Sequence, residues 1–301
     1  MEVEGHPRSN VRFYSGVYEL LCFFSSDIHG KTGRYEKLLD AVRRERPGAV
    51  FLGGDLLPHA MARDAATPDF LDDFMVERFG RLREELGEDY PDVFLILGND
   101  DPRAEEEAVV RAEERGVWRY VHGRRVDMDE FTVYGYACVP PTPFLSKDWE
   151  RYDVSRYVDP GSVSPEEGIR TVPVDPHRVR YRTILQDLRD LTGKDDLRNA
   201  ILLFHSPPYD TLLDRAALDG RMVDHVPLDV HVGSIAIRKF IEERQPHITL
   251  HGHVHESARI SGSWSETLGE TRMFGGAHDG PELAIVRFDP SDPDGATREL
   301  L

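Results

Sequence analysis

Short apolar runs alternate with amphipathic segments along most of the chain. Short apolar runs are typical of buried strands, and apolar residues at helical spacing are typical of amphipathic helices. Strands alternating with helices in this way indicate an α/β layered fold, with the last strand closing the chain. The pattern predicts strands at 19–25, 49–52, 93–97, 131–136, 200–204, 247–250 and 283–288, and helices at 35–46, 70–86, 104–115, 182–191 and 235–244.

The segment from about 139 to 179 departs from this pattern. It is rich in proline and charged residues and has little periodicity. Because long irregular stretches inside a compact domain are commonly functional loops, the segment is interpreted as lid-like. No internal repeat or low-complexity run interrupts the chain, and a single domain over 1–301 with a core at about 18–290 is predicted.

Five of the predicted strands are followed by small residues and then by a potential metal ligand. Because ligands gather at the carboxyl ends of strands in open α/β sheets, these five pieces of chain are expected to form one site. The potential ligands are Asp27, His29, Asp55, Asn99, His205, His253 and His255.

These residue types suit a divalent metal bound by oxygen and nitrogen, such as Mn²⁺, Fe²⁺ or Zn²⁺. Asp27 and His29 stand two residues apart at a strand end, as do His253 and His255. Each pair is therefore expected to point at one ion. Asp55 offers two carboxylate oxygens, which suit a bridge between two ions.

The charge of the chain narrows the classes of partner. Its 301 residues include 55 Asp and Glu against 37 Lys and Arg, which gives a formal net charge of −18. Such a surface repels nucleic acid backbones and anionic membranes, although bound cations can reverse the sign locally for a small phosphorylated substrate. No signal peptide or membrane-spanning run is visible, and Cys22 and Cys138 are interpreted as buried free thiols. A cytoplasmic location is expected.

The ordered set D-x-H, GGD, GN, H and GHxH resembles that of the calcineurin-like metallophosphoesterases, over about residues 20 to 290. The resemblance implies a four-layer αββα sandwich and two divalent metal ions, with Mn²⁺ expected and Fe²⁺, Zn²⁺, Ni²⁺ or Mg²⁺ as alternatives. It implies that the two ions hold a bridging hydroxide that attacks phosphorus in line. It assigns Asp27, His29, Asp55 and His255 to one ion, and Asp55, Asn99, His205 and His253 to the other.

Two stretches, 135–153 and 231–257, further resemble an Icc-like subgroup of bacterial and archaeal phosphoesterases. This second likeness supports the fold and names no substrate. The expected activity is hydrolysis of a small soluble phosphoester, with a phosphodiester slightly favoured and with Asn99, Asp100 and His205 as catalytic residues. A phosphomonoesterase, a protein phosphatase and a catalytically silent scaffold are the alternatives. The resemblance also leaves a homo-oligomer open.

The third motif departs from the family pattern, because Asp100 stands where a histidine usually follows Asn99. Three hypotheses remain open. Asp100 is a protonated general acid with a raised pKa; another residue, such as His59, His231 or His278, fills the role; or the leaving group needs no acid.

Four residues are candidates for contact with substrate. His59 follows Asp55 by four residues and is expected to line the pocket, with a surface loop as the alternative. His231 either reaches the site or caps the helix that begins near residue 234. His278 lies in a Gly-Gly-Ala-His turn. Trp149 either stacks on a substrate base or anchors the lid-like segment to the core.

Overall fold

The computed structural model describes residues 12–14, 17–59 and 69–301. In chain order the strands are β1 (Arg12–Tyr14), β2 (Val17–Glu19), β3 (Cys22–Ser25), β4 (Ala49–Gly53), β5 (Asp92–Ile96), β6 (Arg119–Tyr120), β7 (Arg125–Met128), β8 (Phe131–Tyr136), β9 (Ala200–Phe204), β10 (Met222–Val223), β11 (Val226–Pro227), β12 (Ile248–His251), β13 (Ser265–Leu268), β14 (Thr271–Gly275), β15 (Ala284–Asp289) and β16 (Asp292–Leu300). The α-helices are α1 (Thr32–Glu45), α2 (Glu77–Leu86), α3 (Glu106–Glu114), α4 (Pro176–Tyr181), α5 (Ile184–Thr192), α6 (Ile235–Arg244) and α7 (Ser257–Ser261).

Two six-stranded sheets form the centre of the molecule. The first has the order β16-β15-β3-β4-β5-β6, and the second has the order β13-β14-β12-β9-β8-β7. Strands β3 to β6 are parallel to one another, and so are β8, β9, β12 and β14. The inner strands β3, β4, β9 and β12 are buried along their whole length. Their continuous apolar runs fit parallel strands that are covered on both faces.

Aromatic side chains join the two sheets face to face. The ring of Phe288 in the first sheet lies 5.5 Å from that of Phe274 in the second and 5.9 Å from that of Phe51. Helix α1 covers one outer face through Leu38 and Leu39, and α5 packs beside α6 on the other. The predicted αββα sandwich is confirmed.

Several predicted elements differ in detail from the observed ones. The predicted strand at 19–25 is two strands, because β2 ends at Glu19 and β3 begins at Cys22. The predicted helix at 70–86 begins with a π-helical turn at Leu71–Val76, which precedes α2. The prediction that the strand at 283–288 closes the chain is wrong, because β16 follows it and pairs with β15. As a largely exposed edge strand, β16 carries none of the apolar pattern on which the prediction depended.

The lid-like segment is irregular for most of its length, and α4 begins only at Pro176. A buried ion pair between Lys147 and Glu150 holds its centre. In the described part of the chain, no helix is long and apolar enough to cross a membrane. The extent of a single domain over 1–301 stays a prediction, since residues 1–11, 15–16 and 60–68 lie outside the described residues.

Candidate metal centre

All seven predicted ligands lie in loops that follow parallel strands at the same end of the two sheets. These ligand loops are residues 26–30 after β3, 54–59 after β4, 97–101 after β5, 205–208 after β9 and 252–256 after β12. The first sheet contributes Asp27, His29, Asp55 and Asn99, and the second contributes His205, His253 and His255.

The backbone of the ligand loops turns sharply. Asp27, His29, Asp55 and His253 have left-handed backbone, with φ of 56°, 51°, 53° and 72°. Such conformations are costly for residues with a Cβ and concentrate at functional sites. Asp27 and His29 therefore come together through consecutive turns beyond the end of β3, and their ligand atoms lie in one group of donors, as expected. His253 and His255 lie in two different groups, so the expectation that this pair points at one ion is wrong.

The first group of donors is formed by Asp27, His29, Asp55 and His255, whose ligand atoms all lie within 4.8 Å of one another. The Nε2 atoms of His29 and His255 are 3.0 Å apart, and His255 Nε2 is 3.1 Å from Asp27 Oδ1. Ser26 Oγ donates a hydrogen bond to the other oxygen of Asp27, which leaves Oδ1 facing the histidines.

The second group is formed by Asp55, His205 and His253, again within 4.8 Å. His205 Nε2 lies 3.2 Å from Asp55 Oδ2 and 3.0 Å from Asn99 Oδ1. The other ring nitrogen of His205 bonds the carbonyl of Gly53 at 2.7 Å, an arrangement that fixes the orientation of a metal-binding imidazole. Asp55 belongs to both groups, so the two groups share one carboxylate.

Other atoms of the site fit bound cations as well. Two facing imidazole nitrogens, Nε2 of His29 and Nε2 of His255, fit a shared cation. Glycines clear space for the carboxylates. A Cβ at Gly98 would lie 2.3 Å from Asp55 Oδ1, and one at Gly252 would lie 2.6 Å from Asp27 Oδ2. The residues present therefore suit the mixed oxygen and nitrogen coordination of a divalent metal.

The electrostatics of the centre keep its carboxylates ionised. Burial raises the pKa of Asp27, but its hydrogen bond to His255 and the surrounding histidines outweigh burial and hold that pKa well below the usual range. Burial lowers the pKa of His29 and of His253 to about 4. Both imidazoles are thus neutral near pH 7, the form in which a histidine binds a metal. At His205 and His255 burial also lowers the pKa, but the neighbouring carboxylates outweigh burial and raise the pKa, to about 10 for His205, so a metal ion bound there would displace a proton.

Asp100 contacts residues of both donor groups and the side chain of His59. Its backbone N–H donates to Asp55 Oδ1 at 2.8 Å, and its Oδ1 accepts from the Asn99 amide at 3.0 Å. Its Oδ2 lies 3.8 Å from His29 Nδ1 and 3.5 Å from His59 Nδ1. Burial, and then the charge of Asp55, raise the pKa of Asp100 to about 6.

Asp101 is a residue of the site that the sequence analysis missed. It is 1% exposed, and its carboxylate accepts hydrogen bonds from the backbone N–H groups of Leu56, Leu57 and Gly98. These bonds tie the Asp55 loop to the Asn99 loop. The only available signal was a second acid directly after the altered motif, which does not by itself distinguish a structural acid from a catalytic one.

The four substrate candidates have different surroundings. His59 stacks on His29, with ring centroids 4.8 Å apart, and so lies at the centre. His231 Nδ1 bonds Asp214 at 2.7 Å, and His278 Nε2 bonds Glu282 at 3.0 Å. The helix near residue 234 is capped by the side chain of Ser234, not by His231.

Trp149 is fully buried, with 0% of its surface exposed. Its indole N–H donates to the carbonyl of Asp101 at 2.8 Å, its ring meets His122 edge to face, and the guanidinium of Arg103 lies 4.9 Å from its centre. A ring without exposed surface cannot stack on a substrate base. The interpretation of Trp149 as a substrate residue is wrong, and the alternative of an anchor for the segment fits its position.

Comparison with known proteins agrees with the fold and identifies the family. The model of the calcineurin-like phosphoesterase family matches residues 23–257, which is more than half of the chain. The chain belongs to this family, a class of enzymes that act on phosphoester bonds. The centre described above is the cluster of Asp and His residues that could hold the divalent metals of this family.

Individual relatives are distant or cover little of the chain. An uncharacterized protein of Methanocaldococcus jannaschii, MJ1162, is 42% identical over 67 residues, which are 22% of this chain and 27% of that relative. The solved structure of TT1561 of Thermus thermophilus is 16% identical, covers 94% of this chain and 99% of its own, and gives a TM-score of 0.54. Another solved structure, 17% identical with the same coverage, gives 0.58. At this identity the two structures support the fold alone.

Proposed function

We propose that the chain is a metal-dependent phosphoesterase that hydrolyses a small, soluble phosphoester with two metal ions. The observation that carries the proposal is the shared position of Asp55 between two groups of donors, each within 4.8 Å. A shared carboxylate between two sets of nitrogen ligands is the arrangement expected of a two-metal site. With Asn99 beside His205, all seven expected ligand positions are filled, which argues against a silent scaffold.

The residues of the chain prepare the site in three ways. Asp55, 2% exposed, and His205, 0% exposed, are withdrawn from bulk water, so electrostatic interactions at the site are strong. Gly53 O holds His205 with its Nε2 toward Asp55. The amide of Asn99 is fixed between His205 and Asp100, with its oxygen toward the second donor group.

Two divalent ions bound at these donors would supply positive charge that polarises the phosphoryl group and activates water. Mn²⁺ is the metal we expect, because the donors combine carboxylates with imidazoles.

The substrate class rests on charge and on the altered third motif. A net charge of −18 disfavours nucleic acid as a bulk partner. A phosphomonoester carries up to two negative charges near pH 7, whereas a phosphodiester carries one. Because the Asp100 carboxylate repels negative charge on the substrate, we favour a diester over a monoester. The free and buried cysteines Cys22 and Cys138 support the cytoplasm as the location.

The proposal is tested by turnover of bis-p-nitrophenyl phosphate and of p-nitrophenyl phosphate, with protein stripped of metal and reloaded with Mn²⁺. We expect metal-dependent hydrolysis with the diester preferred. Asp55→Asn should lower kcat on the order of 10³-fold, because it removes the charge that both donor groups share. Asp294→Asn is the matched control, since the Asp294 side chain is 88% exposed.

Each other outcome has a distinct meaning. Preference for the monoester would keep the phosphoesterase and overturn the diester. Protein that binds two Mn²⁺ ions and hydrolyses neither compound would contradict the proposal as stated. Full activity of Asp55→Asn would remove the shared carboxylate from the account.

A further inference from the structure

A second cluster of donors adjoins the metal centre. It is formed by His29, His59 and Asp100, whose nitrogen and oxygen atoms lie within 4.8 Å of one another. The rings of His29 and His59 are stacked, with an interplanar angle of 15°. The family pattern has a histidine at position 100, so the cluster brings a histidine from another loop to the side of the altered motif.

The members of this cluster differ in their access to solvent. The side chain of His29 is 7% exposed and that of Asp100 is 24% exposed, whereas that of His59 is 54% exposed. His59 is therefore the member that a molecule arriving from solvent meets first. Its Nδ1 faces Asp100, which directs the opposite edge of the imidazole, with Nε2, away from that carboxylate.

The carboxylate of Asp100 has polar neighbours at both oxygens. One accepts from Asn99 at 3.0 Å, and the other faces the two histidines at 3.5 and 3.8 Å. A carboxylate in this position orients the polar side chains around it through its charge. Direct contact between this carboxylate and a phosphate would bring two negative charges together.

We propose that His59 and Asp100 together replace the histidine that the third motif lacks, with His59 as the residue that donates a hydrogen bond to the phosphoryl group and Asp100 as the residue that positions it. The proposal rests on the proposed function and deepens it. His59 Nε2–H contacts a phosphoryl oxygen of the bound ester. Asp100 lies 3.5 Å from Nδ1 of His59 and accepts a hydrogen bond from the amide of Asn99, and the ring of His29 stacks on that of His59.

The test measures binding of inorganic phosphate by calorimetry together with metal content, both on protein loaded with Mn²⁺. His59→Ala should weaken phosphate binding about 10- to 100-fold, the effect of losing one hydrogen bond to a charged group, while two ions per chain remain. His59→Gln keeps an N–H donor and should recover part of the loss. His177→Ala is the control, since His177 lies on the exposed surface of α4.

The role of Asp100 is tested by Asp100→Asn and by the double variant. If Asp100 acts through His59, Asp100→Asn should raise KM for the diester more than it lowers kcat, and should add little to His59→Ala in the double variant. Additive losses in the double variant would overturn the positioning role.

Three further results would decide against the proposal. Phosphate binding by His59→Ala equal to that of the unmodified protein would overturn the contact. Three ions per chain, falling to two in His59→Ala, would make the cluster a metal site instead of a phosphate contact. Fewer than two ions together with no hydrolysis by the unmodified protein would overturn the proposed function itself, whereas two ions with normal hydrolysis and an unaffected His59→Ala would overturn only this inference.

Discussion

The ligand loops and the segment 139–179 both carry many polar residues, but those residues have different kinds of partner. In the ligand loops, donors converge on one another, as with His29 and His255, whose Nε2 atoms are 3.0 Å apart. In the segment, Lys147 pairs with Glu150 and Trp149 donates to a main-chain carbonyl. The first arrangement leaves room for a cation, and the second is complete without a ligand.

The kind of partner that a polar side chain has therefore distinguishes a functional loop from a structural one better than the length or irregularity of the loop does. The sequence analysis interpreted the segment as functional because it is long and irregular. Its centre is a buried polar structure, in which the Asp148 carboxylate accepts hydrogen bonds from Thr171 Oγ1 and from the backbone N–H of Arg103. A role as a lid stays a prediction. Polar residues that satisfy one another hold a chain in place, whereas converging ligand atoms indicate a site.

The largest effect that separates the two regions is expected from Trp149→Ala. Removing a fully buried Trp should cost about 3–5 kcal/mol of unfolding free energy, whereas KM of the folded variant should stay unchanged. Denaturant unfolding and steady-state kinetics measure the two quantities. Tyr157→Ala is the control in the same segment, because Tyr157 is 68% exposed. A raised KM with unchanged stability would return Trp149 to the substrate site.

A smaller effect, of the opposite kind, is expected from Gly98→Ala. The added Cβ would meet Asp55 Oδ1 at 2.3 Å and displace the shared carboxylate, which should lower kcat about a hundredfold with reduced metal content. Gly80→Ala in α2 is the matched control, since a Cβ there meets nothing within 4 Å. The control should be more stable by about 1 kcal/mol. Equal kcat in the two variants would show that the carboxylate tolerates displacement.

The smallest effect is the change in thermal stability that we expect on adding or removing Mn²⁺. At a free Mn²⁺ concentration about tenfold above Kd, each bound ion should stabilise the folded chain by about 1.4 kcal/mol, which raises Tm by roughly 2 °C per ion for a chain of this length. Scanning calorimetry with and without a chelator measures the shift. Trp149→Phe should keep the shift and Asp55→Asn should lose most of it. The reverse pattern would place the metal outside the ligand loops.

The sequence was sufficient to predict the positions of the inner strands along the chain and the ligands that follow them, because a buried parallel strand leaves a continuous apolar run. The order of the strands within the two sheets was not predicted. It was not sufficient for how Asp27 and His29 converge, since a left-handed turn at an aspartate leaves no compositional mark. The stacking of His59 on His29 joins the loops after two different strands. The burial of Trp149 also depends on residues that are distant in sequence, such as His122. Neither the His59 stacking nor the Trp149 burial can therefore be read from neighbouring residues in the sequence.

The account's central claim is that the ligand loops hold two metal ions that share Asp55. The most direct measurement is a crystal structure of the Mn²⁺-loaded protein with anomalous scattering recorded near the manganese edge. The account predicts two peaks about 3.5–4 Å apart, both within coordination distance of Asp55, one beside His29 and His255 and the other beside His205 and His253. A single peak, or two peaks that do not share Asp55, would contradict it.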